Sequence, residues 1–134
     1  FVFNTRYSSD KMMLHSKIKF FKIKKDKLFG ILRDYKYPYS DKERTIIDVL
    51  DYPEYLGGLS KVIDKIKNSK YDKKKLVNYA MQYKSIKIMK IVGYLTNNKE
   101  IYRILKKEKK LGYYTTVRKT NMNIIDKILK IRMI

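Results

Sequence analysis

The chain has no cysteine, a single histidine and few acids, and each scarcity closes off a class of function. Without cysteine there are no disulfides, no thiolate metal centres and no cysteine nucleophiles. The lone histidine, His15, sits in a polar segment with no partner in sight for ligation or proton transfer. No apolar run approaches the roughly 18–20 residues that a membrane span needs, and no signal peptide is visible. No glycine loop that could cradle phosphate is present, because Gly57–Gly58 is not followed by the Lys-Ser/Thr pair that would complete one. Acids number 13 against 33 Lys and Arg, for a net charge of +20 on 134 residues.

What is present is a basic chain with enough apolar material, 44%, to build a core. Its length fits one domain spanning residues 1–134. Of the 33 cations, 27 are lysine. Lysine is a point charge suited to phosphate, whereas arginine is the better reader of base edges. The expectation is therefore backbone-dominated, salt-sensitive binding to nucleic acid. A lysine-rich source composition is the plainer explanation, but it normally brings glutamate along with the lysine.

Hydrophobic periodicity divides the chain. Phe1–Thr5 is a short β-prone run, and "KIKFFKIKK" (17–25) alternates with Ile18 and Phe20, and Ile23 beyond them, on the apolar side of a strand. The intervening "RYSSDKMMLHS" reads as a polar loop. "LFGILRDY" (28–35) is a third extended candidate before "YPYS" breaks the chain.

From Ser40 the period becomes helical. Ser40 and Glu43 form an S-x-x-E capping box, and Ile46, Ile47 and Leu50 give an apolar face that Pro53 terminates. Gly57–Gly58 open a second helix, with Leu59, Val62, Ile63 and Ile66 inward. Asp72 caps a third (Leu76, Val77, Ala80, Tyr83), Ser85 a fourth (Ile88, Ile91, Val92, Leu95), and Asn97 or Asn98 a fifth (Ile101, Ile104, Leu105). "YYTTVRK" and "KILKIRMI" are β-prone. The fold class is α+β: N-terminal strands, a central block of about five short helices, and C-terminal strands that pair back on the N-terminal sheet.

From Asp34 to Glu54 six acids face only three cations, which makes an acidic island in a basic chain. Asp48 and Asp51, three apart on one helix, could hold a metal or do acid–base work. No histidine or third acid stands at ligand spacing, so a solvated face paired with nearby lysines is the preferred reading, with no cofactor, no metal and no enzyme. The candidate nucleic-acid contacts are Lys61, Lys65 and Lys67 on the second helix. To these are added Lys84, Lys87 and Lys90 as a ridge on the fourth, Arg103, Lys106, Lys107, Lys109 and Lys110 at the end of the fifth, and Arg118 and Lys119 beyond it. Tyr83, Tyr94, Tyr102, Tyr113 and Tyr114 lie among them, and basic residues interleaved with aromatics suit phosphate contact with base stacking. Tyr83 and Tyr94 read more readily as core.

"YPYSDKERTIIDVLDYPEYLGGLSKVI" resembles the central segment of the AbiEi family of type IV antitoxins and transcriptional regulators. The likeness lies at Asp41, Glu43, Arg44, Thr45, Asp48, Asp51, Pro53, Glu54, Gly57 and Gly58. "KLVNYAMQYKSIKIMKIVGYL" is similar to the helix pair that follows it in the family, ending at Gly93, Tyr94 and Leu95, and "IKFFKIKKDKLFG" to the strands that precede it. The resemblance implies a C-terminal domain of such a regulator, with a nucleotidyltransferase-like toxin in the same system; the charge itself points to DNA or RNA without choosing between them, and the absence of cysteine fits a cytoplasmic location. It also implies an N-terminal winged helix, which this chain lacks; "FVFNT" begins without Met, so a fragment or a wingless version is expected. The motif residues read as caps, turns and buried contacts rather than as ligands. The alternative is a stand-alone RNA-binding component of a ribonucleoprotein, such as a ribosome-associated protein.

Overall fold

A computed structural model describes residues 1–4, 6, 8–13, 16–34, 36–107, 115–117 and 131–133. The chain divides at the "YPYS" break into two compact units, Phe1–Tyr39 and Ser40–Ile134, where composition alone suggests one.

The first unit is built on a three-stranded sheet of β1 (Val2–Asn4), β2 (Ser9–Met13) and β3 (Ser16–Lys22) in the order β1-β3-β2. β1 runs parallel to β3 with Val2 opposite Phe20, and β2 runs antiparallel to it with Ser9 opposite the same residue. The polar stretch read as a loop is thus an edge strand, carried by backbone pairing and by Asp10, whose carboxylate lies 3.1 Å from the ammonium groups of both Lys17 and Lys19. The alternation in β3 selects the less buried side. Phe21 and Ile23 are the buried pair, while Ile18 and Phe20 are only partly covered. Consecutive phenylalanines make β3 apolar on both faces, and the ring of Phe21 goes to the side where Phe3 stacks on it at 5.2 Å and Phe1 meets it edge-on at 5.1 Å. Two further short strands, β4 (Ile31–Leu32) and β5 (Tyr39–Ser40), follow.

The second unit is helical: α1 (Lys42–Asp51), a 3-10 turn at Pro53–Leu56, α2 (Leu59–Lys67), α3 (Lys73–Tyr83), α4 (Ile86–Thr96) and α5 (Lys99–Lys107). Most of the expected inward residues form the core, with Ile47, Leu50, Leu76, Ala80, Ile88, Ile91, Val92 and Ile101 at 0% exposure, whereas Leu59, Leu95 and Ile104 are only partly covered. α4 lies at the centre, packed on α1, α3 and α5.

Helix starts follow cap chemistry. Asp72 Oδ1 accepts from Lys75 N, Ser85 Oγ from Ile88 N, and Asn98 Oδ1 from Glu100 N and Ile101 N. The sequence reading places the N-cap of α1 one residue early. Asp41, not Ser40, is the N-cap of α1 and accepts from Arg44 N at 2.8 Å; Ser40 Oγ instead meets Thr45 Oγ1 at 2.8 Å. Glu43 is left to serve another helix. Gly57 (φ +87°) and Gly58 (φ +96°) make the turn from the 3-10 segment into α2, backbone that a residue with a Cβ adopts only under strain. α3, α4 and α5 are joined by two-residue turns of one form, a left-handed residue (Lys84, Asn97) followed by a cap (Ser85, Asn98).

The closing strands, β6 (Thr115–Val117) and β7 (Ile131–Met133), pair with each other in parallel, Thr115 opposite Ile131. Among the described residues they do not extend the N-terminal sheet as expected: β6 and β7 pair with each other, and β6 packs on α2 and α4.

Candidate nucleic-acid interface

Four acids of the island, Asp41, Glu43, Asp48 and Asp51, form a polar knot around α1, with the first three buried, while Asp34 and Glu54 are exposed. Arg44 is 1% exposed, and its Nη2 and Nε donate to Asp48 Oδ1 at 2.8 and 3.0 Å. Its guanidinium lies 5.2 Å from the centre of the Tyr83 ring on α3. Tyr83 Oη donates to Asp51 Oδ2 at 2.6 Å, and Lys87 Nζ on α4 donates to the Asp51 carbonyl at 3.1 Å. At the other end of α1, Tyr79 Oη donates to Asp41 Oδ2 at 2.7 Å, and Lys75 bridges Asp41 and Glu43 at 3.1 and 3.3 Å. Glu43 Oε1 accepts from Asp72 N at 2.9 Å, closing the start of α3.

The titration of these groups follows from their surroundings. Burial pulls the Asp41 carboxyl upward, but the Arg44 amide, the Tyr79 hydroxyl and Lys75 more than offset it and hold it below the usual range. Burial likewise acts on Glu43, and the Asp72 amide and Lys75 bring it below its usual value. Asp48 goes the other way, since burial outweighs its Arg44 partner and raises it. Burial and Asp51 push the Tyr83 hydroxyl far up.

Asp48 and Asp51 therefore do not form a pair, because one turns back to Arg44 and the other out to Tyr83. Nor is the face solvated, with Asp48 4% exposed. Among the described residues no three acids or histidines converge on a metal position. The knot ties α1 to α3 and α4 and consumes its own charges.

The cations are distributed differently. Lys61, Lys65 and Lys67 are all exposed on α2, opposite buried Val62, Ile63 and Ile66. Arg103, Lys106 and Lys107 are exposed on α5, opposite buried Ile101 and Leu105. None of these six makes an ion pair among the described residues. Each helix carries a single acid, Asp64 on α2 and Glu100 on α5. Two tyrosines accompany the lysines. Lys67 Nζ donates to Tyr94 Oη at 2.6 Å and lies over its ring, and Lys106 lies 5.8 Å from the Tyr102 ring centre. Tyr94 is thus a rim residue, while Tyr83 is core as expected.

The ridge of Lys84, Lys87 and Lys90 does not exist. Lys84 precedes α4, in the left-handed turn after α3; Lys87 is half-buried against Asp51; Lys90 is 2% exposed. A helix packed on three sides has no solvated stripe for spacing to reveal. Lys109, Lys110, Arg118, Lys119, His15, Tyr113 and Tyr114 lie outside the described residues. Lys73, Lys74 and Lys99, at the starts of α3 and α5, are exposed cations that the sequence reading passed over; "YDKKK" just after a capping Asp is the signal for the first two. No helix among the described residues is long and apolar enough to cross a membrane.

Comparison of the chain with family models, with curated proteins and with solved structures gave no match.

Proposed function

We propose that the chain is a non-enzymatic, cytoplasmic nucleic-acid-binding protein that grips the phosphate backbone through the outward faces of α2 and α5. The observation that carries this is the segregation of charge. The acids of α1 are spent on internal partners, whereas the exposed cations of α2 and α5 make no ion pair among the described residues. Polyanion binding by such faces is driven by release of condensed counterions, is insensitive to sequence, and weakens steeply with salt. The likeness of Asp41–Gly58 to the AbiEi segment supports placing the chain with the C-terminal domains of those antitoxins and regulators, and the nucleotidyltransferase-like toxin partner belongs to the proposal through that likeness alone.

The test is a salt titration with a short DNA duplex. Six contacting cations give a log–log slope of about −5. Reversal of Lys61, Lys65 and Lys67 to Glu, or of Arg103, Lys106 and Lys107 to Glu, flattens it by about 3 and weakens binding in low salt. An unchanged slope and affinity in both triple variants would remove the two helices from the account.

A further inference from the structure

α3 turns to solvent a face unlike those of α2 and α5. Lys74, Asn78 and Gln82 follow one another at helical spacing and share one stripe. All three are exposed, opposite the buried Leu76, Val77, Ala80 and Tyr83. Gln82 is the only glutamine of the sequence. Among the described residues Asn78 is the only asparagine inside a helix, since Asn68, Asn97 and Asn98 stand at helix ends. The outward positions of α2 and α5 go mostly to lysine, a better helix former than asparagine. Two amides on successive turns depart from that habit, and among the described residues neither is hydrogen-bonded within the chain. The ends of the stripe are cationic. Exposed Lys70 and Lys73 stand at the start of α3 and exposed Lys84 just past its end. α3 itself holds no acid, and the capping Asp72 has one oxygen on the Lys75 amide.

We propose that α3 enters the major groove of duplex DNA and reads adenine with Asn78 and Gln82, while Lys70, Lys73 and Lys84 hold the phosphates on either side. An amide offers a donor and an acceptor together, which matches the N6 and N7 of adenine in that groove. One helical turn sets the two amides about 6 Å apart along the axis, so they reach separate base pairs of a stack that rises about 3.4 Å per pair. Lysines at both ends meet the groove walls, where the phosphates run. The stripe has no aromatic or aliphatic anchor of the kind on which protein interfaces depend, and the major groove of an RNA duplex is too deep and narrow for side chains to read. The inference rests on the reading of the chain as a nucleic-acid binder, and adds base readout to the sequence-blind grip of α2 and α5.

The test uses the full chain and two duplexes of about 16 alternating A·T pairs, one of them with 7-deazaadenine at every adenine. That base keeps its pairing and its phosphates but lacks the N7 acceptor. The unsubstituted chain binds the ordinary duplex at least about fivefold more tightly than the deaza duplex. Asn78→Ala with Gln82→Ala binds the two equally, at the weaker affinity and with the salt slope unchanged, because no charge is removed. Alanine is the better helix former at both positions, so the melting temperature of this variant holds or rises. Equal affinity of the unsubstituted chain for the two duplexes, or a preference that survives in the double variant, overturns the proposal and leaves α2 and α5 standing. Failure to bind either duplex overturns both readings. Weaker binding to both duplexes with the preference intact, when Lys61, Lys65 and Lys67 are reversed to Glu, supports both.

Discussion

Removing Arg44 tests whether the acidic island is architecture. Arg44→Met keeps the bulk of the side chain and strands the Asp48 carboxylate, which is 4% exposed and otherwise held by two hydrogen bonds from the guanidinium at 2.8 and 3.0 Å. Loss of one partner of a buried pair costs about 3–5 kcal/mol, because the remaining charge keeps its desolvation penalty without compensation. That is a large share of the ~5–15 kcal/mol that domains possess, and at about 4–8 °C per kcal/mol the melting temperature falls by roughly 12 °C or more. Replacing both partners, in Arg44→Met with Asp48→Leu, restores most of the loss, since no charge is then left buried.

The pH dependence has a definite sign. Burial holds Asp48 above the ordinary carboxylate range even with Arg44 beside it; without Arg44 it rises further. A folded-state value above the unfolded one means that folding favours the protonated form. Arg44→Met is therefore weakest well above that value and regains stability as the pH falls through it toward the ordinary carboxylate range, by more than the unsubstituted chain does. Urea denaturation of the single variants and the double variant across this range measures the effect. A loss below about 1 kcal/mol for Arg44→Met, or a double variant no more stable than the single, refutes the argument.

Three other outcomes are expected. Asp41 and Glu43 have folded values below their ordinary 3.8 and 4.5, so their contribution is full above that range and is lost as the pH drops through the lowered folded values; thermal melts from neutral into acid pH should show this loss, and Lys75→Met should make it shallower. Gly58→Ala meets no atom within 4 Å but must hold φ at +96° and ψ at 163°, a region essentially reserved for glycine, so it costs about 1–3 kcal/mol from the backbone alone, measurable by urea denaturation. Lys90→Met leaves the affinity for duplex DNA and its salt slope unchanged, because a side chain 2% exposed does not meet a phosphate; a flattened slope would contradict its placement.

The helical unit was largely legible because its signals are local. Asp72 and Ser85 start helices by capping chemistry, and Pro53, Gly57 and Gly58 punctuate them by φ preference, all within a few residues. The misreadings have a common source in contacts distant along the chain. Ser9–Met13 is a strand because β3 lies beside it, not because of its own residues. Glu43 left its expected box to accept from Asp72, 29 residues on. Phe20 and Phe21 offer two equivalent faces to any periodicity, and packing of Phe1 and Phe3 on Phe21 distinguishes them. Lys90 follows the spacing of a solvated stripe, but α4 is enclosed by neighbours that spacing does not report. For the candidate interface, this means that α2 and α5 were readable, each having one free side, and the α4 ridge was not.

The two-residue joints Lys84–Ser85 and Asn97–Asn98 also carry a kinetic meaning. Connections that short leave almost no loop entropy to overcome, so α3, α4 and α5 can zip together from near neighbours in microseconds to milliseconds. The parallel pairing of Thr115–Val117 with Ile131–Met133 needs the chain to double back across 13 residues and is the slower event. A newly made chain thus acquires its α5 cations in final form before its C-terminal strands meet, so the face proposed to grip phosphate is complete on a protein still folding.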